Sequence, residues 1–113
     1  MTIKYFTQAI NLFEEKDISY ESLAQWYLER AIANGWLKND YNAEQDFKKC
    51  LILSGDKLSQ PLLDGLFWYG NFLAIRKRKS ESCVQFNKLK YLQPNYKTDG
   101  TTIDEMIEMA DCN

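Results

Sequence analysis

The sequence predicts an all-α protein of about six short helices, and three observations lead to that prediction. Of the 113 residues, one is valine, eight are isoleucine and five are threonine, so the β-branched residues that favour sheets are scarce. Apolar residues recur at intervals of three and four along most of the chain, which is the spacing of one helix face. Glycine, proline, serine and asparagine lie between these runs and mark where helices begin and end.

Three helices are predicted in the first half of the chain. The N-terminal helix lies within residues 1–16, and its apolar residues share one face: Ile3, Phe6, Ile10 and Phe13. Ser19 is a typical N-cap residue for the second helix, which ends near Gly35 because glycine readily adopts the left-handed conformation found after helices. Asp40 is the predicted cap of the third helix, which ends before Gly55.

Three further helices are predicted in the second half. Pro61 marks the start of the fourth helix, since proline is favoured in the first helical turn. Ser80 is the predicted cap of the fifth helix, which Pro94 ends because proline lacks the backbone N–H. Thr102 and Glu105 have the spacing of a capping box and open a short last helix.

Residues 63–96 contain small, aromatic and proline residues at fixed spacing. The residues that form this pattern are Gly70, Ser82, Phe86 and Pro94. The pattern resembles the tetratricopeptide repeat, a helical hairpin of about 34 residues. The family has a small residue where its two helices pack closely, and Gly70 occupies that place. Leu89 departs from the pattern because the family has an alanine there, so packing at this position is expected to be looser or shifted.

A weaker version of the pattern lies within residues 23–55. It has a small residue, then an aromatic residue, then another small residue at the same spacing: Ala43, Phe47 and Cys50. Phe47 and Phe86 are 39 positions apart, so about five residues are inserted relative to the period of the family. Residues 27–35 are also similar to the helix end of the related Sel-like repeats.

The resemblance implies a single domain, residues 1–113, in which antiparallel helical hairpins stack as in tetratricopeptide-repeat proteins. The expected parts are an N-terminal helix (1–16), a first hairpin (19–55), a second hairpin (59–96) and a C-terminal helix (101–111) that caps the last hairpin. The sequence shows no linker that would divide these parts.

The residues needed for common enzymatic chemistry are missing. The chain has no histidine, which excludes His-based catalytic triads and Cys2His2 zinc sites. Its five glycines are isolated, so the sequence has no glycine-rich phosphate loop. The clustered acidic residues are interpreted as solvated helix faces. We therefore predict a protein that is not an enzyme and that uses no cofactor or metal.

The three cysteines are an odd number without metal-ligand spacing, so we predict free thiols in a reducing cytoplasm. Cys50 is expected in the core, and Cys112 in a tail. Cys83 follows a basic run near a helix start, so an alternative hypothesis makes it a reactive thiol. No apolar run approaches the roughly 18–20 residues that cross a bilayer. We expect a cytoplasmic protein without a membrane partner, and the alternative is a processed secreted form.

The charges are unevenly distributed along a chain whose formal net charge is −2. Seven basic residues and one acidic residue give residues 76–97 a net charge of +6, and five acidic residues give residues 98–113 a net charge of −5. The acidic segment is expected to fold back onto the basic one. An alternative function, a nucleic-acid-associated regulator, would use four adjacent basic residues: Arg76, Lys77, Arg78 and Lys79.

The chain has more aromatic residues than are needed to form a core from a single face of each helix. Tryptophan and tyrosine are enriched among the residues that contribute most of the binding energy in protein interfaces. We therefore predict a protein–protein interaction module for a dedicated partner, with an acidic last helix that suits a basic one. Size and charge suggest a bacterial toxin-neutralising immunity protein or a small chaperone. The predicted contact residues are Trp26, Arg30, Trp36, Phe67, Trp68, Asn71, Asp104, Glu105 and Glu108.

Overall fold

The computed structural model describes residues 3–16 and 20–112, and it confirms the predicted all-α class. The helices of the described chain are α1 (Ile3–Lys16), α2 (Tyr20–Trp36), α3 (Asp40–Ser54), α4 (Gln60–Ile75), α5 (Lys79–Leu92) and α6 (Ile103–Met109). Two antiparallel strands of two residues each, β1 (Lys97–Thr98) and β2 (Thr101–Thr102), precede α6. Ser19, the predicted cap of α2, lies outside the described residues.

The helices pack in adjacent pairs, as in a helical-repeat fold. Helix α2 packs against both α1 and α3, and α6 packs against α5. The chain divides into two compact units, of which the first extends to Gly65 and the second begins at Leu66. Among the described helices, none combines the length and the apolar character that crossing a membrane requires.

Within the described residues, three helices are followed, two positions after their last residue, by a left-handed residue that is not glycine. Lys38, Lys77 and Asp111 follow α2, α4 and α6 and have φ angles of 62°, 61° and 58°. In each case the N–H groups of the left-handed residue and of the residue after it donate back to carbonyls of the last helical turn. This arrangement is the Schellman motif, which reverses the chain sharply and satisfies carbonyls that would otherwise lack a partner.

Helix α2 ends one residue after Gly35, at Trp36. The prediction that Gly35 is the left-handed residue after the helix is wrong, because Gly35 is itself helical. The N–H of Lys38 donates to the carbonyl of Gly35 at 3.1 Å, and the N–H of Asn39 donates to the carbonyl of Asn34 at 2.9 Å. These bonds place the left-handed position three residues after the glycine. A glycine inside a helix costs only about 1 kcal/mol, which the packing of α2 against its neighbours offsets.

The predicted caps of α3 and α5 are also displaced. Asn39 precedes α3, so Asp40 is a helical residue rather than the cap. Arg78 precedes α5, so Ser80 lies inside the first turn. The cause is the turn before each helix, since α3 and α5 begin two residues after the left-handed Lys38 and Lys77 and leave no room for a later cap.

The start of α6 is as predicted. The N–H of Glu105 donates to the hydroxyl of Thr102, and the N–H of Thr102 donates to the carboxylate of Glu105, both at 3.1 Å, which confirms the capping box. The preceding hairpin was not predicted. It turns at Asp99 and Gly100, whose φ angles of 49° and 79° suit the two-residue turn that Asp-Gly favours.

The predicted close contact at Gly70 is present in the second unit. A Cβ atom at Gly70 would lie 2.5 Å from the ring of Phe86, which is fully buried. The hydroxyl of Ser82 donates to the carbonyl of Gly70 at 2.7 Å. Helices α4 and α5 therefore approach each other at a point where one residue has no side chain and the facing residue is small.

Candidate binding site

Trp26 lies in an aromatic cluster of the first unit. Its ring centroid is 5.7 Å from that of Tyr5, 5.9 Å from that of Phe6 and 6.2 Å from that of Phe13. Ring pairs at these distances stabilise packing between helices. Trp26 is half-buried, and the packing of α1 against α2 accounts for its position.

Arg30 forms a two-point ion pair with Asp46. Its Nε and Nη2 groups donate to the two carboxylate oxygens at 2.8 Å each, and Nη1 donates to the hydroxyl of Thr7 at 3.1 Å. Asp46 is buried, and a buried charge requires a partner of opposite sign. The hydrogen bonds to Asp46 raise the pKa of Arg30, so the guanidinium stays charged. Arg30 thereby connects α1, α2 and α3.

Asn34 and Tyr27 extend this polar network. The side-chain amide of Asn34 donates to Asp46 at 3.3 Å, and its oxygen accepts from Asn39 at 3.4 Å. The hydroxyl of Tyr27 donates to Glu14 at 3.3 Å. Burial raises the pKa of Tyr27, and the negative charge of Glu14 raises it further. The network links the three helices by directional bonds in addition to apolar packing.

Asp46 is missing from the predicted contact residues, although the sequence carries a signal for it. It lies three residues after Ala43 and directly before Phe47, both of which are buried on the core side of α3. An acidic residue at such a position needs a cation on the facing helix. Arg30 is the basic residue of α2, but assigning it to Asp46 also requires knowing that α2 packs against α3.

A polar depression of about 360 Å³ lies beside the ion pair. The residues that line it are Ile3, Thr7, Arg30, Asn34, Asn42, Gln45 and Asp46. The exposed amides of Asn42 and Gln45 provide hydrogen-bond donors and acceptors, whereas the charges of Arg30 and Asp46 neutralise each other. This depression is suited to hydrogen bonding and has no net charge with which to attract an ion.

The corner between α2 and α3 exposes three large side chains. Trp36 is 77% exposed, Leu37 63% and Tyr41 75%. The Schellman motif at Lys38 reverses the chain between the two helices at this corner. We call Trp36, Leu37 and Tyr41 the aromatic corner. Of the aromatic residues predicted as partner contacts, Trp36 is the exposed one.

The aromatic residues of α4 that were predicted as partner contacts are less exposed than Trp36. Phe67 is buried, with ring centroids 5.3 Å from Trp68, 6.5 Å from Phe86 and 5.6 Å from Tyr96. Trp68 and Asn71 are half-buried. Phe67 is therefore a core residue of the second unit, and little of its ring is accessible to a partner.

The basic run is largely engaged within the second unit. The guanidinium of Arg76 lies 3.8 Å from the ring centroid of Phe72. Arg78 forms an ion pair with Glu81 at 2.6 Å, and Lys79 forms one with Asp111 at 2.9 Å. Lys77 is exposed at the left-handed turn. Three of the four cations proposed for nucleic-acid binding thus already contact groups of the same unit.

The acidic segment folds back onto α5, as its charge indicates. Asp104 forms an ion pair with Lys90 at 2.7 Å, and hydrogen bonding by Lys79 lowers the pKa of Asp111. The backbone hydrogen bond from Thr102 lowers the pKa of Glu105. Glu108 is exposed. Two of the three acidic residues predicted to meet a partner, Asp104 and Glu105, therefore have bonds within the chain.

The prediction of three free thiols is wrong, because Cys83 and Cys112 form a disulfide with Cα atoms 5.4 Å apart. The returning acidic segment brings Cys112 beside α5, within the distance that a disulfide requires. This pairing excludes the reactive-thiol hypothesis for the oxidised chain and removes the basis of the cytoplasmic assignment. Cys50 is a buried thiol, as predicted, and burial raises its pKa to about 12.

Counting thiols tests the disulfide. Without a reducing agent, we expect a thiol reagent at pH 8 to find no rapidly reacting thiol in the folded chain, because Cys50 is buried and protonated. After unfolding in denaturant one thiol should react, and after reduction all three should react. Three reactive thiols in the unfolded chain before reduction would contradict the pairing.

Within the described residues, no group of three or more acidic or cysteine side chains is placed to hold a metal ion. Comparisons with protein-family models, with curated proteins and with solved structures found no match. The fold defines the chain as an all-α protein of paired helices, and the tetratricopeptide-like character remains a prediction from the sequence.

Proposed function

We propose that the chain is a non-catalytic protein-binding module that recognises a dedicated partner through the aromatic corner. The observation that carries this proposal is the exposure of Trp36, Leu37 and Tyr41 within six consecutive residues. Tryptophan and tyrosine supply much of the binding energy in protein interfaces. Exposed apolar groups that lie close together mark such interfaces in otherwise polar surfaces.

The outer face of α3 extends this candidate surface. Tyr41, Lys48 and Ile52 recur at seven and four residues and lie opposite the buried side of the helix. Ile52 is 72% exposed, and Lys48 forms a long ion pair of 3.8 Å with Glu44. A partner that covers the corner and this face would contact apolar groups at both ends and a cation between them.

The narrower proposal is a toxin-neutralising immunity protein or a small chaperone, and it rests on the size and acidic charge of the chain. The alternative, a nucleic-acid-associated regulator, has less support because Arg78 and Lys79 are engaged in ion pairs. Its affinity would fall steeply with salt, as expected for phosphate contacts.

Affinity capture from the native host tests the proposed function. We expect the wild-type chain to retain one protein at physiological salt, and the Trp36→Ala variant to retain it at least tenfold less well, as for a residue that dominates an interface. Tyr91→Ala is the matched control, because Tyr91 is 86% exposed and lies on α5 in the other unit. This control should bind like the wild type.

Two results would contradict the proposal. One is a chain that captures no protein and instead retains RNA or DNA at physiological salt. The other is a captured protein whose retention is unchanged by Trp36→Ala, since the aromatic corner would then contribute nothing. Circular dichroism of both variants should match the wild type, because both substituted side chains are exposed.

A further inference from the structure

Described residues near the C-terminus of the second unit form two ion pairs and a disulfide with α5. Asp111 forms an ion pair with Lys79, Cys112 is bonded to Cys83, and Asp104 forms an ion pair with Lys90. Lys79, Cys83 and Lys90 are separated by four and seven residues, so they lie along one flank of α5. We call residues 103–112 the strap and this line of α5 residues the basic flank.

The backbone after α6 places Cys112 against this flank. Asp111 has a φ angle of 58°, and its N–H donates to the carbonyl of Glu108 at 3.0 Å. The N–H of Cys112 donates to the carbonyl of Ile107, also at 3.0 Å. This Schellman motif reverses the chain and fixes the position of the residue that follows. Cys112 is thus positioned by the helix end itself.

Apart from the disulfide, the strap is held by the burial of its apolar side chains and by exposed ion pairs. Its apolar residues Ile103, Met106 and Ile107 are buried. The ion pairs of Asp104 and Asp111 are exposed on both sides, and such pairs contribute little to stability. Helix α6 has seven residues, too few to be stable without packing. The covalent bond, which joins residues 29 positions apart, is the strongest single constraint on the strap.

We propose that the Cys83–Cys112 disulfide locks the strap over the basic flank, and that its reduction opens this flank to an acidic amphipathic helix of a partner protein. The strap itself shows the chemistry of the occupant. It contains a helix whose apolar residues are buried against the rest of the second unit. Its acidic residues lie on the outer side and at the ends, and two of them form ion pairs with lysines of α5. An external helix of the same pattern would replace it.

The opening step is an ordinary thiol–disulfide exchange. Both cysteines are half-exposed, so a dithiol reductant can reach them. One thiolate of the dithiol attacks a sulfur of the pair, a mixed disulfide forms, and the thiolate that leaves takes up a proton. The second thiol of the reductant then displaces the other cysteine. Two electrons and two protons pass to the cysteines, and the dithiol becomes a disulfide.

This proposal concerns the second unit alone and is independent of the aromatic corner. The Trp36→Ala variant alters the first unit and leaves both the strap and the basic flank unchanged. The test of the disulfide lock can therefore fail while the aromatic corner still binds a protein. Equally, the aromatic corner can fail to bind a protein while the disulfide lock passes its test.

Hydrogen exchange of the full chain, measured by mass spectrometry, tests the lock. After reduction with dithiothreitol, we expect the amides of residues 103–109 to exchange at least tenfold faster, while those of residues 82–89 in α5 keep their rates. Cys50→Ala is the matched control, because it removes the thiol outside the pair and should leave exchange slow until reductant is added. Equal rates before and after reduction, or acceleration throughout the unit, would overturn the lock.

A labelled peptide tests the occupant. The probe contains residues 97–112 with Cys112→Ser, and the target is the full-length reduced chain with Asp104→Asn and Asp111→Asn, which weaken its own strap. We expect fluorescence anisotropy to show binding that is at least tenfold tighter than to the oxidised wild type and that weakens with salt. A control peptide with Asp104→Lys and Asp111→Lys should bind at least tenfold less tightly.

Three outcomes would refute this assignment of the occupant. The first is no binding of the probe to the reduced target, and the second is equal binding of the acidic and the charge-reversed peptides. The third is a single-stranded oligonucleotide that binds the reduced target more tightly than the probe does. Equal binding of the probe to the oxidised wild type and the reduced target would refute the lock.

Discussion

Replacing Gly70 with leucine should unfold or strongly destabilise the second unit. Even a Cβ atom at this position would lie 2.5 Å from the ring of Phe86, and that ring is fully buried, so moving it would disturb the surrounding core. Overpacking of a core costs about 1–3 kcal/mol and sometimes more, and leucine adds three further carbon atoms at the closest point between α4 and α5. We expect a loss of at least about 3 kcal/mol in the free energy of unfolding, measured by urea denaturation.

Two further variants show whether the clash is the cause. Val84→Leu enlarges a side chain on the exposed face of α5 and should change stability by less than about 0.5 kcal/mol. Phe86→Leu combined with Gly70→Ala should lose less than the sum of the two single substitutions, because the smaller facing side chain leaves room for the Cβ. An unchanged melting temperature for Gly70→Leu would contradict the close packing of the two helices.

Replacing Asp46 with alanine should destabilise the first unit almost as strongly. The substitution leaves Arg30 without both oxygens of its ion pair, and the side chain of Arg30 is only 21% exposed. Removing one partner of a buried pair costs about 3–5 kcal/mol, and the residual exposure of Arg30 places the expected loss at the lower end. Urea denaturation at neutral pH measures it.

The ion pair between Lys48 and Glu44 provides the contrast. Its atoms are 3.8 Å apart and Lys48 is exposed, so Lys48→Ala should lose no more than about 0.5 kcal/mol. The double variant Arg30→Met with Asp46→Leu should recover much of the stability lost by Asp46→Ala, because apolar residues can replace a buried pair. A loss of under 1 kcal/mol for Asp46→Ala would show that the pair does not hold the helices together.

The positions of the helices could be predicted because apolar periodicity is a local property of the sequence. The buried residues Phe6 and Ile10 follow it directly, and the capping box at Thr102 is a four-residue signal that needs no knowledge of the rest of the chain. Gly70 could also be identified, because the resemblance to the tetratricopeptide repeat implies a small residue where two helices pack closely.

The remaining features depend on contacts between distant residues. The bond between Cys83 and Cys112 follows from the return of the acidic segment, which the charges indicated but whose register they did not specify. The left-handed residue after α2 is Lys38 and not the expected Gly35. Packing and backbone hydrogen bonds set this helix end, and the residue preference for glycine does not. Asp46 required its cation to be identified on another helix.

The disulfide also makes part of the second unit a covalent ring. The bond between Cys83 and Cys112 encloses the rest of α5, the β1–β2 hairpin and α6. A single protease cut at the exposed turn of Asp99 and Gly100 would open this ring without releasing a fragment. The nicked chain would therefore keep both pieces joined under oxidising conditions, and its cleavage would be visible on a gel only after reduction.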